Sequence, residues 1–366
     1  MGDGDKSHPN EPLRLTRRRL LKWSGGLLVA PAIVSSVRSS NATPTVLQGA
    51  GIDYDKARSE GAVRLWYSDQ EPDVVEYIKV YTEKTGLPVQ QLRIATGAAL
   101  PKLKAELKTG NVSVDVFNCT DDGLFDQLRE EGLLLKYETP EIAAYGKDYR
   151  SAEPGYWTTF YINVGPMGYD ARYVQEADAP KVWEDMLDPR WMKQIGVQVA
   201  SAGSQYAWWY NLKEVVAPDF WDKLAVQKPR SYATSNQMMN DINSGSLKIG
   251  GKVSIFQYTK AVRAKTPLKI VLPKAGTPAS NAVTGIVAAS PRPNAAKAFI
   301  HFLLSREGQQ AWNDIQGSLS ARTDVKVAEL PSLAETKILV PKDFQDYRSA
   351  KQHKEFEKIW NKVVGF

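Results

Sequence analysis

Ala62-Val63-Arg64-Leu65-Trp66-Tyr67, then Val74, Val75, Ile78 and Tyr81, then Val89 to Ile94, then Val114-Asp115-Val116-Phe117 form the stretch on which the fold turns. The first segment is rich in aromatic and β-branched residues and reads as a strand. The apolar positions after it recur three and four apart, which is helical spacing, and Gly86 and Pro88 end that helix. A second strand over Val89 to Ile94 leads through the turn Ala95-Thr96-Gly97-Ala98 into a helix with Leu100, Leu103 and Leu107 on one face. The third strand, Val114 to Phe117, precedes a helix carrying Leu124, Phe125 and Leu128. Strands that alternate with helices in this way predict a parallel sheet covered by helices.

The rest of the chain repeats the pattern. Tyr156 to Val164 is aromatic and extended and suits a strand crossing between two lobes. Ile195 to Val199 reads as a buried strand, followed by Ala200-Ser201-Ala202-Gly203-Ser204 and a helix beginning near Gln205. Further strands are expected over Lys252 to Phe256, Leu268 to Leu272 and Val283 to Ala289, with Pro273, Gly276 and Pro278 between the last two. From Pro293 onward helices dominate: Ala296, Phe299, Ile300 and Leu303 share a face, and Phe344 to Val363 closes the chain. Two sheet-forming blocks without a flexible linker predict an α/β protein of two lobes, joined by the strands themselves. The first lobe is expected over residues 45–161 with 275–366 returning to it, and the second over 162–274.

With 366 residues, 43% apolar and 24% charged, the chain has an ordinary globular composition and enough length for two cores. Its net charge of +6 is unevenly placed. Residues 1–42 hold seven Lys/Arg and three Asp/Glu, leaving 40 basic and 38 acidic residues for everything after them. The basic excess therefore belongs to the leading segment. No later cluster of basic and aromatic residues suggests a nucleic-acid partner.

That leading segment reads as a targeting signal. Thr16-Arg17-Arg18-Arg19-Leu20-Leu21-Lys22 is followed by the apolar run Trp23 to Val34 and by small residues, with Ser40 and Ala42 placed for cleavage near Ala42. The run is too short to cross a hydrocarbon core of roughly 30 Å as a helix. The paired arginines resemble a twin-arginine export signal, and an ordinary basic secretory signal is the alternative. Either predicts a periplasmic protein. Cys119 is the only cysteine, so an intrachain disulfide is excluded, and a buried apolar role at a strand end is expected.

Four stretches carry a family resemblance. Gly97-Ala98-Ala99-Leu100-Pro101-Lys102-Leu103, Ser113-Val114-Asp115-Val116-Phe117, Pro180-Lys181-Val182-Trp183-Glu184-Asp185-Met186-Leu187-Asp188-Pro189-Arg190-Trp191, and Pro293 to Gln310 with Ser320 and Arg322 together resemble the extracellular solute-binding proteins of the iron/thiamine/phosphonate type. The resemblance implies the type II periplasmic-binding fold, with a ligand cleft between the lobes. It also implies partnership with the permease subunits of an ABC importer in the inner membrane, as a monomer that closes by hinge bending.

In such folds the ligand meets loops at the carboxyl ends of strands. That rule selects Tyr67, Ser68, Asp69, Thr96, Gly97, Ala98, Thr120, Asp121, Asp122, Ser201, Gly203, Ser204, Gln205 and Tyr258, with Trp157 and Tyr161 as aromatic walls on the crossing strand. Thr96-Gly97-Ala98 and Ser201 to Ser204 each put hydroxyls and backbone N–H groups at a helix start, where anions are favoured. Plain N-capping explains the same residues. The expected solute is a small anionic or zwitterionic molecule such as a phosphonate, sugar phosphate or carboxylate, with ferric ion and polyamine as alternatives. Relatives that bind iron carry two adjacent tyrosines, whereas this chain has Phe256-Gln257-Tyr258-Thr259. No metal and no cofactor is expected. No Gly-x-Ser-x-Gly elbow, phosphate loop, dinucleotide fingerprint or His-Glu-x-x-His spacing supports catalysis. An exported oxidoreductase is the rival from another class, and it would need a cofactor cradle that the sequence does not offer.

Overall fold

The computed structural model describes residues 42–330 and 337–365. The targeting signal read in residues 1–42 lies outside them, apart from Ala42. Helix α1 (Tyr54–Glu60) leads into β1 (Val63–Tyr67), α2 (Glu71–Thr85), β2 (Val89–Arg93), α3 (Thr96–Thr109), β3 (Val116–Cys119) and α4 (Asp122–Glu130). β1 lies between β2 and β3 and runs parallel to both. α2 stops where Gly86 takes a left-handed φ of 70°, a conformation that costs a Cβ-bearing residue more than glycine. After β4 (Leu134–Leu135), β5 (Thr158–Val164) carries the chain through Gly165-Pro166 into β6 (Met167–Asp170) of a second sheet.

The second sheet adds β7 (Ile195–Gln198), α5 (Gly203–Leu212), α6 (Phe220–Val226), β8 (Arg230–Tyr232), α7 (Ser235–Asn243), β9 (Ile249–Gly250), α8 (Ile255–Arg263) and β10 (Leu268–Val271), in strand order β10-β6-β9-β7-β8. The chain then returns along β11 (Thr277–Val287), which inserts between β5 and β3, antiparallel to both. α9 (Pro293–Leu304), α10 (Arg306–Gln316), β12 (Leu319–Ser320) and β13 (Ile338–Leu339) complete the first sheet, ordered β12-β5-β11-β3-β1-β2 with β4 and β13 also on β11. α11 (Phe344–Arg348) and α12 (Ala350–Val364) end the fold. The architecture is two-lobed α/β, with two strand crossings between the sheets. Among the described residues no helix is long and apolar enough to cross a membrane.

Each sheet has its own core. Tyr77, Tyr81, Phe160, Phe299, Phe302 and Trp312 pack largely edge to face beside the first. Trp183, Trp208, Trp221 and Trp360 do the same beside the second. Trp183 also donates from Nε1 to the Gly276 carbonyl at 3.0 Å, pinning one crossing. Cys119 is buried at the end of β3, and burial holds its thiol well above the usual range.

Three local expectations are corrected. Lys252 to Phe256 is not a strand: the strand is the short β9 before it, and α8 starts at Ile255, after Ser254. The returning strand starts at Thr277, six residues earlier than read, because the polar run Ser280-Asn281 is buried in mid-sheet rather than looped out. The expected return of 275–366 to the first lobe stops short of the last helices. Phe356, Trp360 and Val363 lie on one side of α12 and join Tyr347 in the second core, beside its tryptophan cluster.

Candidate functional site

A polar cavity of about 290 Å³ lies between the sheets, at the carboxyl ends of β1 and β7. From the first lobe it is lined by Ser68, Asp69, Arg93, Thr96, Thr120, Tyr161 and Asn163; from the second by Gln198, Ser201, Ser204, Thr234 and Ser235, with Ser254, Phe256 and Gln316 completing it. Hydroxyls and amides dominate this wall.

Asp69 lies two residues past the end of β1 and is buried, accepting a hydrogen bond from the Tyr161 hydroxyl. Burial pushes its carboxyl up to about 6, with the Asp73 charge adding to the effect and Tyr161 opposing it. Arg93, at the end of β2, donates from Nε to the Asp69 carbonyl at 2.9 Å and brings a guanidinium to the cavity rim. Asp73 is neutralised by Lys260, whose Nζ lies 2.6 Å from it.

Lys252 lies behind the second-lobe wall, in contact with two side chains that line the cavity. It is only 2% exposed, and its Nζ donates to Gln198 Oε1 at 2.6 Å and Ser204 Oγ at 2.8 Å. Among the described residues no carboxylate pairs with it, and burial alone drives its pKa down to about 7. Glycines let its loop approach the sheet. A Cβ on Gly250 would meet Val253 Cγ2 at 2.6 Å, and one on Gly165 would meet Lys252 Cγ at 3.1 Å. Gln198 is braced in turn: its N–H donates to Gln205 Oε1 at 3.0 Å and its Nε2 to Ser235 Oγ at 3.2 Å. Asn163 donates to Ser254 Oγ at 3.4 Å while its buried Oδ1 has no partner, leaving an acceptor beside the cavity.

Helices α3 and α5 start at the cleft without a side-chain cap. The capping positions of α3 and α5 are Ala95 and Ala202, so neither Thr96 nor Ser201 acts as the N-cap. α7, at the same cleft, differs: Thr234 caps it by accepting from Gln237 N–H.

A larger, more apolar chamber of about 850 Å³ adjoins the polar one and shares Ala95, Thr96 and Ser201 with it. Gly97, Ala98 and Asp121 line this second chamber. Asp121 also caps α4, accepting from Leu124 N–H at 3.0 Å. Its neighbour Asp122 accepts from Asn281 Nδ2 at 3.0 Å, and burial pushes its carboxyl up to about 7.

The expected site residues thus separate. Ser68, Asp69, Thr96, Thr120, Ser201 and Ser204 meet at the polar cavity, together with Tyr161. Gly203 opens α5. Four lie elsewhere. Tyr67 packs into the first core, and burial pushes its hydroxyl up to about 12. Trp157 is buried against Phe117 and Leu134, with its Nε1 on Asp126 Oδ1 at 2.8 Å. Gln205 braces Gln198 from behind the wall. Tyr258 points away because α8 is a helix there: two residues make a turn of about 200°, so Phe256 takes the cavity position. Arg93, Asn163, Gln198 and Lys252 were not anticipated. The one available signal was a lysine set between Gly250-Gly251 and Val253 in an otherwise apolar run. Among the described residues no group of three or more His, Cys, Asp or Glu side chains could hold a metal ion.

An uncharacterized protein of Haemophilus influenzae is 26% identical over 341 residues, covering 87% of this chain and 96% of its own length. The crystal structure of iron-bound HitA from Pseudomonas aeruginosa superposes with a TM-score of 0.70 at 19% identity, covering 83% of this chain and 99% of HitA. The periplasmic binding protein AfuA from Actinobacillus pleuropneumoniae, solved with fructose-6-phosphate, gives 0.72 at 21% identity, covering 84% and 99%. These two likenesses establish the two-lobed binding-protein fold. Since a family model for bacterial extracellular solute-binding proteins matches residues 111–349, the chain belongs to that family of solute-binding proteins.

Proposed function

We propose that the polar cavity captures a small organic anion bearing hydroxyl groups, of the sugar phosphate, phosphonate or carboxylate kind, and that the lobes close on it by bending at the two strand crossings. The observation that carries this reading is Lys252, a buried ammonium with only neutral partners, both of them cavity-wall side chains. A buried cation without an anion is costly, and a bound anion supplies the missing charge. Arg93 and the two uncapped helix starts add further positive potential, and the free Asn163 Oδ1 suits a ligand hydroxyl. A polyamine would meet one carboxylate, Asp69, against two cations. A ferric ion would lack the hard anionic ligand set it needs. The chain reaches its site of action through the signal in residues 1–42, with Arg17-Arg18 directing export and cleavage near Ala42, and it acts as a monomer.

A thermal-shift panel of sugar phosphates, phosphonates, organic acids, polyamines and ferric citrate tests the reading. A ligand at 100 times its Kd adds about 2.7 kcal/mol of stability. An anionic member is expected to shift the transition, and Lys252→Met is expected to weaken its binding about tenfold or more. A shift from polyamines or iron alone would overturn the proposal.

A further inference from the structure

The second chamber has a wall that the family match does not include. Tyr206 of α5 and Arg348 of α11 line it, but His353, Phe356, Glu357 and Asn361 come from α12, which starts at residue 350, beyond the matched segment 111–349. The facing wall is Leu100 and Pro101 of α3 and Leu124 of α4. The chamber is firmly built. Trp360 Nε1 donates to the Gln198 carbonyl at 2.8 Å, tying α12 to the strand end that carries a polar-cavity residue. Arg348 pairs with Asp126 across the lobes. Tyr206 stacks on His353 with ring centroids 4.0 Å apart.

The chemistry of the two chambers differs. The first is polar and, at about 290 Å³, lies at the small end for an organic ligand. The second, at about 850 Å³, presents mostly aliphatic and aromatic carbon, with Asp121, Gln127, Arg348 and His353 set among it and the exposed Glu357 and Asn361 at its rim. Thr96 and Ser201 line both, so a ligand held at the two helix starts projects into either.

We propose that the solute is bipartite: an anionic head with hydroxyls sits in the polar cavity, and an aromatic body extends past Thr96 and Ser201 into the chamber walled by α12. This rests on the anionic reading of the polar cavity and narrows the class to anionic esters or acids carrying an aromatic ring. A free phosphate or a short carboxylic acid would fill only the first chamber.

Ribose 5-phosphate and adenosine 5′-monophosphate make a matched pair of probes, sharing a phosphate and a ribose and differing by a flat fused-ring base in place of the anomeric hydroxyl. Calorimetric titration of the purified full chain is expected to show the second binding about tenfold or more tightly, from the apolar area that the ring buries. Leu124→Trp, which fills the chamber, should remove that advantage and leave ribose 5-phosphate binding unchanged. Asn361→Trp does the same from an exposed position, so the test survives if the core variant fails to fold. Equal affinities, or equal losses of both probes in the filled variants, would overturn the bipartite ligand while leaving the anion site standing. Binding of neither probe would overturn both.

Discussion

Replacing Lys252 by methionine shortens the side chain by one atom and removes its charge, so the pH dependence of stability isolates that charge. The folded pKa of about 7 lies below the ordinary 10.5 because of burial. The contribution is therefore present above pH 10.5 and is lost as the pH falls toward 7, where the folded protein must bury an ammonium. The full difference amounts to about 5 kcal/mol, at about 1.4 kcal/mol per pH unit, and about 3–4 kcal/mol of it develops between pH 10 and pH 7. The methionine leaves Gln198 Oε1 without its strongest donor, which costs about 1–3 kcal/mol at every pH. Urea unfolding of both proteins at pH 7, 8, 9 and 10 should then show a crossing. The variant is the less stable at pH 10 and the more stable at pH 7, with all other titrating groups cancelling in the comparison. A stability difference that stays constant over this range would refute the buried, unpartnered cation, and with it the main support for an anionic ligand.

Three further outcomes are expected. Asp69→Asn removes a carboxyl whose folded value, about 6, lies above the ordinary 3.8, so its contribution is full below pH 4 and is lost as the pH rises through 6. The variant should gain up to about 3 kcal/mol over the wild type between pH 4 and pH 7.5 in denaturant titrations, with no gain below pH 4. Gly250→Ala drives a methyl into Val253 Cγ2 and should lower stability by about 1–3 kcal/mol, whereas Gly97→Ala, with open space around its α-carbon, should leave packing intact in the same assay. Arg348→Ala breaks a partly buried pair with Asp126 and an exposed one with Glu130, and hydrogen exchange over residues 344–364 should rise by about tenfold or more if α11 is clamped to α4 by these charges.

The fold was legible where periodicity was clean. The βαβαβ unit and α9 read directly because their apolar positions repeat at two or three to four residues. β11 read short because Ser280 and Asn281 are buried polar residues in mid-sheet, where the local pattern reports loop and the tertiary environment decides strand. α12 read correctly as a helix, but its lobe did not, since an amphipathic face does not name the surface that covers it. At the site, the strand-end rule reached Asp69, Thr96, Ser201 and Ser204. It missed Arg93 and Asn163, which sit in the last residues of strands rather than in the loops after them, and Lys252, which carries no turn signature. It misplaced Tyr258 by reading a strand, with a period of two residues, where a helix runs.

The position of β11 also sets an order of assembly. β3 ends at Cys119, yet the strand that pairs with it inside the first sheet begins only at Thr277, after every strand of the second sheet. Until that segment is made, β3 and β5 each expose an open edge of unpaired backbone groups, which invites pairing with other chains. The second sheet, drawn from one continuous stretch between Met167 and Val271, can close first and hold the ends of its neighbour near one another. The first sheet is then completed by an insertion between strands already in place. A chain cut short anywhere before Val287 keeps that gap, and such fragments are the ones expected to aggregate.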